Sequence, residues 1–368
     1  MDTAIVSDLH LGTTSEADVA SHLEVQVRLF EALRGADRIV VLGDLLELRE
    51  RPAAAVLERA RPFLEGLGEA TAGKQLLLVP GNHDYQLVAP ALDAARLDGD
   101  ALAAEGTFDP ATGELARRVA SLMPDTEVVL AYPGVRLRED VYATHGHYLD
   151  AHLTVPRVEC VVAAAVGRFT GALGDGRQLS PDAYEAAFAP VYAFAYNIAQ
   201  GSSARAVTRG GSLSRAVWSR SSPDGRASLA GLALGRLAIP AAVAAINGVG
   251  LGPFRADISS LELRRAGLRA IADVVAALGV EADHVIFGHT HRAGPLAGEV
   301  EGWWLPRGTR LTNTGSWIYE SVFLGGAGPD NPYWPGRVTW LGDAGAPELT
   351  SVLGDVDLSD VHDATSPG

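Results

Sequence analysis

Gln75-Leu76-Leu77-Leu78-Val79-Pro80-Gly81-Asn82-His83-Asp84 begins as an apolar run and ends, after proline and glycine, in an amide, an imidazole and a carboxylate. A short apolar run closed by a turn reads as a buried strand, so the polar group lies at its carboxyl end. Four more stretches have the same form. Ala4 to Ser7 leads to Asp8 and His10, and Arg38 to Leu42 leads to Gly43 and Asp44. Val141 to Thr144 leads to His145, Gly146 and His147, and His284 to Phe287 leads to Gly288, His289, Thr290 and His291. Between the first two runs, Val19, Leu23, Val27, Phe30 and Leu33 recur at helical spacing; between the next two, Val56, Leu57, Ala60, Leu64 and Leu67 do so. Strands alternating with amphipathic helices predict a layered α/β domain with βαβ crossovers.

Open α/β sheets gather ligands beyond the carboxyl ends of their strands, so the five polar clusters are expected to converge on one site. Carboxylate, amide oxygen and neutral imidazole are donors for hard or borderline divalent cations. In Asp8-x-His10 and His289-x-His291 the paired side chains are two residues apart, which puts both on one side of an extended backbone. Glycine before Asp44, Asn82 and His289 is expected to give the sharp turn that aims the next side chain inward. A single histidine pair would carry little weight; five such clusters in order, each after a strand, carry a great deal.

The chain of 368 residues is long for one domain, and its apolar content of 47% is ample for a core. The single cysteine, Cys160, rules out an internal disulfide framework or a thiolate zinc cluster and fits a reducing compartment. The first residues carry no basic region or apolar core of an export signal, so a cytoplasmic location is expected. A formal charge of −15 disfavours general nucleic-acid binding. Between Val155 and Ala256, ten arginines and five acidic residues give 10 − 5 = +5, so the rest carries −15 − 5 = −20.

That asymmetry marks residues 155–256 as a helical insertion between two parts of a core, 1–154 and 257–354, with 355–368 an acidic, solvated tail. Within the insertion, Tyr184, Phe188, Tyr192 and Tyr196 share one helical face, read as packing on the core or covering substrate. Leu237 to Phe254 is uncharged over 18 residues. Pro240, Asn247 and its small residues favour a buried or lid helix over an interfacial or spanning one, with peripheral contact at the inner membrane face as the alternative. After it, Ser259 and Glu262 are spaced as a capping box, Leu261, Leu268, Ile271, Val275 and Leu278 form one face, and Gly279 stops the helix. Arg310 to Asn313, Arg337 to Leu341 and Leu349 to Leu353 read as successive strands of a second sheet.

The ordered set D-x-H, G-D, G-N-H-D, H-G-H and G-H-T-H, from Asp8 to His291, resembles the signature of the calcineurin-like metallophosphoesterases. The resemblance implies a four-layer α/β/β/α sandwich and a phosphoesterase with two divalent cations, Mn²⁺ foremost and Fe, Zn or Mg as alternatives. It implies that Asp8, His10, Asp44 and His291 hold one ion and that Asp44, Asn82, His145 and His289 hold the other. A carboxylate shared by two cations relieves their repulsion, and the hydroxide between them is the implied nucleophile on phosphorus. His83 matches the family's general acid. The family places its orienting carboxylate three residues after the bridging aspartate, which is Glu47 here, with Asp84 as the competitor.

Arg292 and His147 are the candidates for contact with substrate phosphate, the former because a guanidinium forks onto phosphate oxygens. Leu48 and Arg49 after Glu47 depart from the arginine and glycine of protein serine/threonine phosphatases. Ser7 to Leu11, Gly43 to Glu47 and Gly288 to Arg292 resemble UDP-2,3-diacylglucosamine pyrophosphatases, which carry arginine where His83 stands. A small or lipid-linked phosphate mono-, di- or pyrophosphate ester is the expected substrate. A sugar-nucleotide lipid pyrophosphatase, a nuclease and a non-catalytic scaffold are the alternatives.

Overall fold

The computed structural model of the chain describes residues 1–154, 179–201, 260–320 and 327–356, with positions 248, 324 and 358. The described residues fall into two compact units, one drawn from Met1–Gly146, Ala195–Ser202 and Glu281–Gly368, the other from His147–Phe194 and Ser203–Val280.

The first unit contains β1 (Thr3–Val6), β2 (Arg38–Val41), β3 (Gln75–Leu78), β4 (Thr107–Phe108), β5 (Glu127–Ala131), β6 (Gly134–Arg138), β7 (Val141–Thr144), β8 (His284–Phe287), β9 (Arg310–Asn313), β10 (Arg337–Leu341) and β11 (Glu348–Ser351). Its helices are α1 (Leu23–Arg34), α2 (Ala53–Ala70), α3 (Ala89–Asp98) and α4 (Glu114–Ser121). A seven-stranded sheet runs β11-β10-β1-β2-β3-β5-β4, and a four-stranded sheet runs β6-β7-β8-β9. β1, β2, β3 and β5 are parallel, as are β7, β8 and β9, so the carboxyl ends within each set lie side by side.

Alternation along the strands divides the core in two. Ala4, Val6, Ile39, Val41, Leu76 and Leu78 face Leu29, Leu33, Ala60, Leu64 and Val119 of the helices. Ile5, Val40, Leu42, Leu77 and Val79 face Leu137, Val141, Ala143 and Ile286 of the smaller sheet. This gives helices, sheet and sheet in order, since a period of two sends successive side chains to opposite faces. Tyr142, Val285 and Leu311, on the other side of the smaller sheet, are buried as well.

Several expectations are corrected. β10 and β11 belong to the large sheet: β10 pairs antiparallel with β1, Thr3 opposite Leu341, and only β9 joins the smaller sheet. The reason is an edge: β1 has a free side that only an antiparallel return can fill without another crossover. The stripe on α1 is displaced, with Leu23 and Val27 exposed and Val25, Leu29, Phe30 and Leu33 buried. Val19 lies in a separate 3₁₀ turn, so counting from it put the helix out of phase. Asp355 meets Arg28 at 2.7 Å, and Val356 and Leu358 pack into the core, so the start of the acidic tail is anchored by apolar residues between its acids.

The second unit holds the 3₁₀ turn His147–Ala151, α5 (Pro181–Gln200 as far as Phe194) and α6 (Ser260–Ala277). Tyr148 stacks on Tyr184 with centroids 4.5 Å apart, and Phe188 stacks on Tyr192 at 5.8 Å. α6 buries Leu268, Ile271 and Val275 but leaves Leu261 exposed. Gly279 follows at φ +65° with the Val280 amide on the Val275 carbonyl, a left-handed helix stop. Ser259 and the uncharged stretch Leu237–Phe254 lie outside the described residues. Among the described residues, no helix is long and apolar enough to cross a membrane.

Candidate metal centre

The loops after β1, β2 and β3 are woven together by backbone hydrogen bonds. Asp8 N–H donates to the Gly43 carbonyl at 3.0 Å, His10 N–H to Asp44 at 2.8 Å, and Glu47 N–H to Leu11 at 3.1 Å. Leu48 N–H reaches the His83 carbonyl, and Gly288 N–H reaches the His145 carbonyl. Within this weave, Asp8, His10, Asp44, His289 and His291 have φ from +48° to +66°, five of the six described non-glycine residues with positive φ. Each such conformation costs on the order of 1 kcal/mol and persists where its surroundings over-determine it, as at functional sites.

Glycines enter for two different reasons. Gly43 has φ +92°, the turn expected of it, and a Cβ there would also lie 2.0 Å from His145 Nδ1. Gly81 and Gly288 do not adopt positive φ; their requirement is space. A Cβ on Gly81 would lie 2.3 Å from Asp44 Oδ1, and one on Gly288 would lie 2.6 Å from Asp8 Oδ2.

All seven sequence-predicted ligands meet here. His291 Nε2 lies 3.2 Å from Asp8 Oδ1 and 3.1 Å from His10 Nε2. Asp44 Oδ2 lies 3.6 Å from His10 Nε2 and 3.2 Å from His145 Nε2. His145 Nε2 is 3.3 Å from Asn82 Oδ1, and His289 completes a group with Asp44 and His145. Asp44 thus borders both imidazole sets.

The other atoms of these ligands are fixed. Asp8 Oδ2 accepts from Ser7 Oγ at 2.5 Å and His289 N–H at 3.1 Å; Asp44 Oδ1 accepts from His83 N–H at 2.9 Å. His145 Nδ1 donates to the Leu42 carbonyl at 2.9 Å and His10 Nδ1 to Glu47 Oε2 at 3.2 Å, leaving each Nε2 turned inward. Such partners set the tautomer of a metal-binding histidine.

The residues fit divalent cations. Two donors bound at about 2.1 Å are about 3.0 Å apart at a right angle and about 3.4 Å apart at a tetrahedral one, close to the separations here. Asp8 Oδ1 is fully buried and faces ring nitrogens, with no hydrogen-bond donor in acceptable geometry. Burial disfavours ionised Asp8 and Asp44, yet His291 beside the first and His145 and His83 beside the second hold both below the usual carboxylate range.

His83 Nδ1 lies 2.5 Å from Glu47 Oε2, so Glu47 takes both the His10 and the His83 rings. Burial opposes ionisation of Glu47, but the two imidazoles outweigh it and hold this carboxyl far below its usual range. Asp84 is not near His83 in this sense. Its oxygens accept from Leu45 N–H at 2.8 Å and Gly81 N–H at 2.7 Å, bracing two loops, and burial with Asp44 nearby pushes it up to about 6.

Arg292 differs from expectation too: its fork is paired with Glu299, and the guanidinium sits over Trp303. The fork that would grip phosphate is occupied by a carboxylate of the same loop. His147 belongs to the second unit, buried against Tyr148 and Tyr192. Arg49, noted in the sequence only as a departure, reaches His83 Nε2 with Nη1 at 3.4 Å. Its position two residues after Glu47 was the available signal.

One buried carboxylate between two imidazole groups at the ends of parallel strands makes a set of donors that could hold divalent metal. Residues 1–168 match the calcineurin-like phosphoesterase superfamily domain. The mixed α/β architecture agrees with it. A solved structure, described as the cold-active protein-tyrosine phosphatase of a psychrophile Shewanella species, aligns over 95% of this chain and 80% of its own at 14% identity and a TM-score of 0.29, too loose a likeness to carry an argument. No curated protein matches the chain.

Proposed function

We propose that the protein hydrolyses a phosphate ester or anhydride at a centre of two divalent cations, held by Asp8, His10, Asp44 and His291 on one side and by Asp44, Asn82, His145 and His289 on the other. The observation that carries this reading is Asp44 Oδ2, which faces both His10 Nε2 and His145 Nε2. Bound there, such ions supply an acidified water and neutralise charge on the phosphoryl oxygens. The carboxylate and amide oxygens suit Mn²⁺ and Mg²⁺, and the imidazoles suit Fe and Zn.

The chain's own groups do the rest. Asp44 and Asp8 provide fixed negative charge in a buried site, where electrostatic positioning is strongest. His83, its Nδ1 on Glu47 and its Nε2 beside the Arg49 guanidinium, can give a proton to the departing oxygen once Nε2 is protonated and turned from Arg49. Glu47 orients that ring and His10 together. The substrate class is a small-molecule or lipid-linked phosphate ester.

The test is hydrolysis of p-nitrophenyl phosphate and bis-p-nitrophenyl phosphate with added Mn²⁺. Turnover is expected, with loss on chelation and a fall of at least about 100-fold in Asp44→Ala and Asn82→Ala. Turnover that survives chelation or either substitution would sink the assignment.

A further inference from the structure

A sixth polar cluster follows a strand end, at Asn313, Thr314, Gly315 and Ser316 of β9 and the turn after it. It holds no carboxylate or imidazole, yet it grips two loops that do. Asn313 Nδ2 donates to the Gly288 carbonyl at 3.0 Å and to Thr290 Oγ1 at 2.9 Å, while its Oδ1 accepts from Gly315 N–H at 2.9 Å. The loop that carries His289 is thereby clamped to the end of β9. Thr314 N–H donates to the Phe287 carbonyl at 2.9 Å. Its hydroxyl lies 2.5 Å from Ser7 Oγ, which in turn lies 2.5 Å from Asp8 Oδ2.

A hydroxyl has one hydrogen to give, and that fixes the order along this chain. Ser7 can give its hydrogen to Asp8 Oδ2 at 2.5 Å or to the Gly315 carbonyl at 3.2 Å, and the shorter contact is to a carboxylate. Thr314 can give its own to Ser7 Oγ at 2.5 Å or to the Phe287 carbonyl at 3.3 Å. The arrangement that uses both short contacts runs from Thr314 to Ser7 to Asp8, each hydroxyl polarising the next. Asp8 Oδ2 then has two donors, the Ser7 hydroxyl and His289 N–H at 3.1 Å. The first is backed by Thr314 and the second by the Asn313 clamp. Oδ1 is left as the oxygen that faces His10 and His291. Ser7, Asp8, Asn313 and Thr314 are at most 1% exposed, so solvent does not replace a donor that is lost.

We infer that Ser7 and Thr314 are positioning residues that hold Asp8 with Oδ1 alone toward the ion, and so set the affinity of the Asp8, His10 and His291 side of the centre. This rests on the two-ion reading and extends it to residues outside the ligand set. Without the Ser7 hydroxyl, Oδ2 keeps a single donor and the carboxylate is free to turn. Partners of this kind behind a metal ligand are worth about 10–100-fold in affinity. The other side has its own supports: Asp44 Oδ1 accepts from His83 N–H and His145 Nδ1 donates to the Leu42 carbonyl, both off the hydroxyl chain.

The experiment titrates the metal-free full chain with Mn²⁺ in the absence of substrate, followed by calorimetry and by electron paramagnetic resonance of the manganese. The wild type is expected to take two ions. Ser7→Ala should weaken one of them by about 10-fold or more, and Thr314→Val, which keeps the shape and removes the hydroxyl, by a smaller factor, with the other ion held within about twofold. Thr314→Ser, which retains the hydroxyl, should bind as the wild type does. His291→Ala identifies the affected ion, since it removes a ligand on that side; the ion that remains in His291→Ala should be the one that Ser7→Ala spares. Both constants unchanged within about twofold in Ser7→Ala and Thr314→Val overturn the inference. So does equal weakening of both ions with an earlier unfolding transition in urea, a fall that lands on the other ion, or Thr314→Ser binding as poorly as Thr314→Val. Fewer than two ions on the wild type defeats the two-ion reading first, and this inference with it.

Discussion

Glu47 Oε2 lies 3.2 Å from His10 Nδ1 and 2.5 Å from His83 Nδ1, so one carboxylate orients both a proposed metal ligand and the proposed acid. In Glu47→Gln the shape is kept, but the charge goes and one oxygen becomes a donor. That donor must face either the two ring N–H groups or the Arg49 N–H that now meets Oε1. A buried donor facing a donor costs about 1–3 kcal/mol, and losing such a partner behind a metal ligand lowers affinity or activity by about 10–100-fold. The expected result is a fall of that size in kcat with weaker metal retention, measured by steady-state kinetics and elemental analysis of the dialysed protein. Unaltered kcat would mean that His83 is not held by Glu47 during turnover. Asp84, although adjacent to His83 in the chain, accepts only backbone N–H groups in the contacts above and so acts on loop shape.

At the scale of elements, the loops after β1, β2, β3, β7 and β8 are where a local change in backbone becomes a change in the site. Gly43→Ala places a methyl where the His145 ring now is, at a φ that alanine resists. The ring must turn away from Leu42 and from Asp44, so metal content is expected to fall by about half as the ion on the His145 side is lost, while circular dichroism stays that of a folded α/β protein. Full metal occupancy in this variant would show that the ring has room the structure does not give it. The strand and motif order of these elements was legible because each ends in polar residues of one chemistry. Their partners were less so. β10 pairs with β1 from more than 330 positions away, and nothing local in Arg337–Leu341 tells one sheet from another. β5 and β6 were missed because the reading followed the polar clusters, which those strands lack. The residues that gather around Asp44 could be picked out by residue type, whereas the commitment of Arg292 to Glu299 depends on how a loop folds back, which spacing does not encode.

Over the whole molecule, the proposed ions would tie the large sheet to the small one, since Asp8, Asp44 and Asn82 follow strands of the first and His145 and His289 follow strands of the second. Without metal, the same groups stabilise one another through protons. Burial opposes charge on His10, but Glu47, Asp44 and Asp8 outweigh it and raise it to about 10; around His145, burial is outweighed by Asp44 and Asp8, to about 9. Both folded values exceed the usual 6.5, so the folded state binds protons more tightly than the unfolded one. Their contribution to stability is whole below about 6.5 and is lost as pH rises through 9 to 10. Metal requires those two imidazoles deprotonated, and its affinity therefore runs the opposite way, gaining up to about 1.4 kcal/mol per displaced proton for each pH unit over that window. Unfolding followed in urea should accordingly show the chelated protein losing stability from pH 6.5 to 9, while the increment from saturating Mn²⁺ grows across the same range. In Asp44→Asn, where the shared carboxylate is gone, that increment should nearly vanish at every pH. A manganese increment that stays level with pH, or that persists in Asp44→Asn, would separate the metal from His10 and His145 and leave the two sheets joined by packing alone.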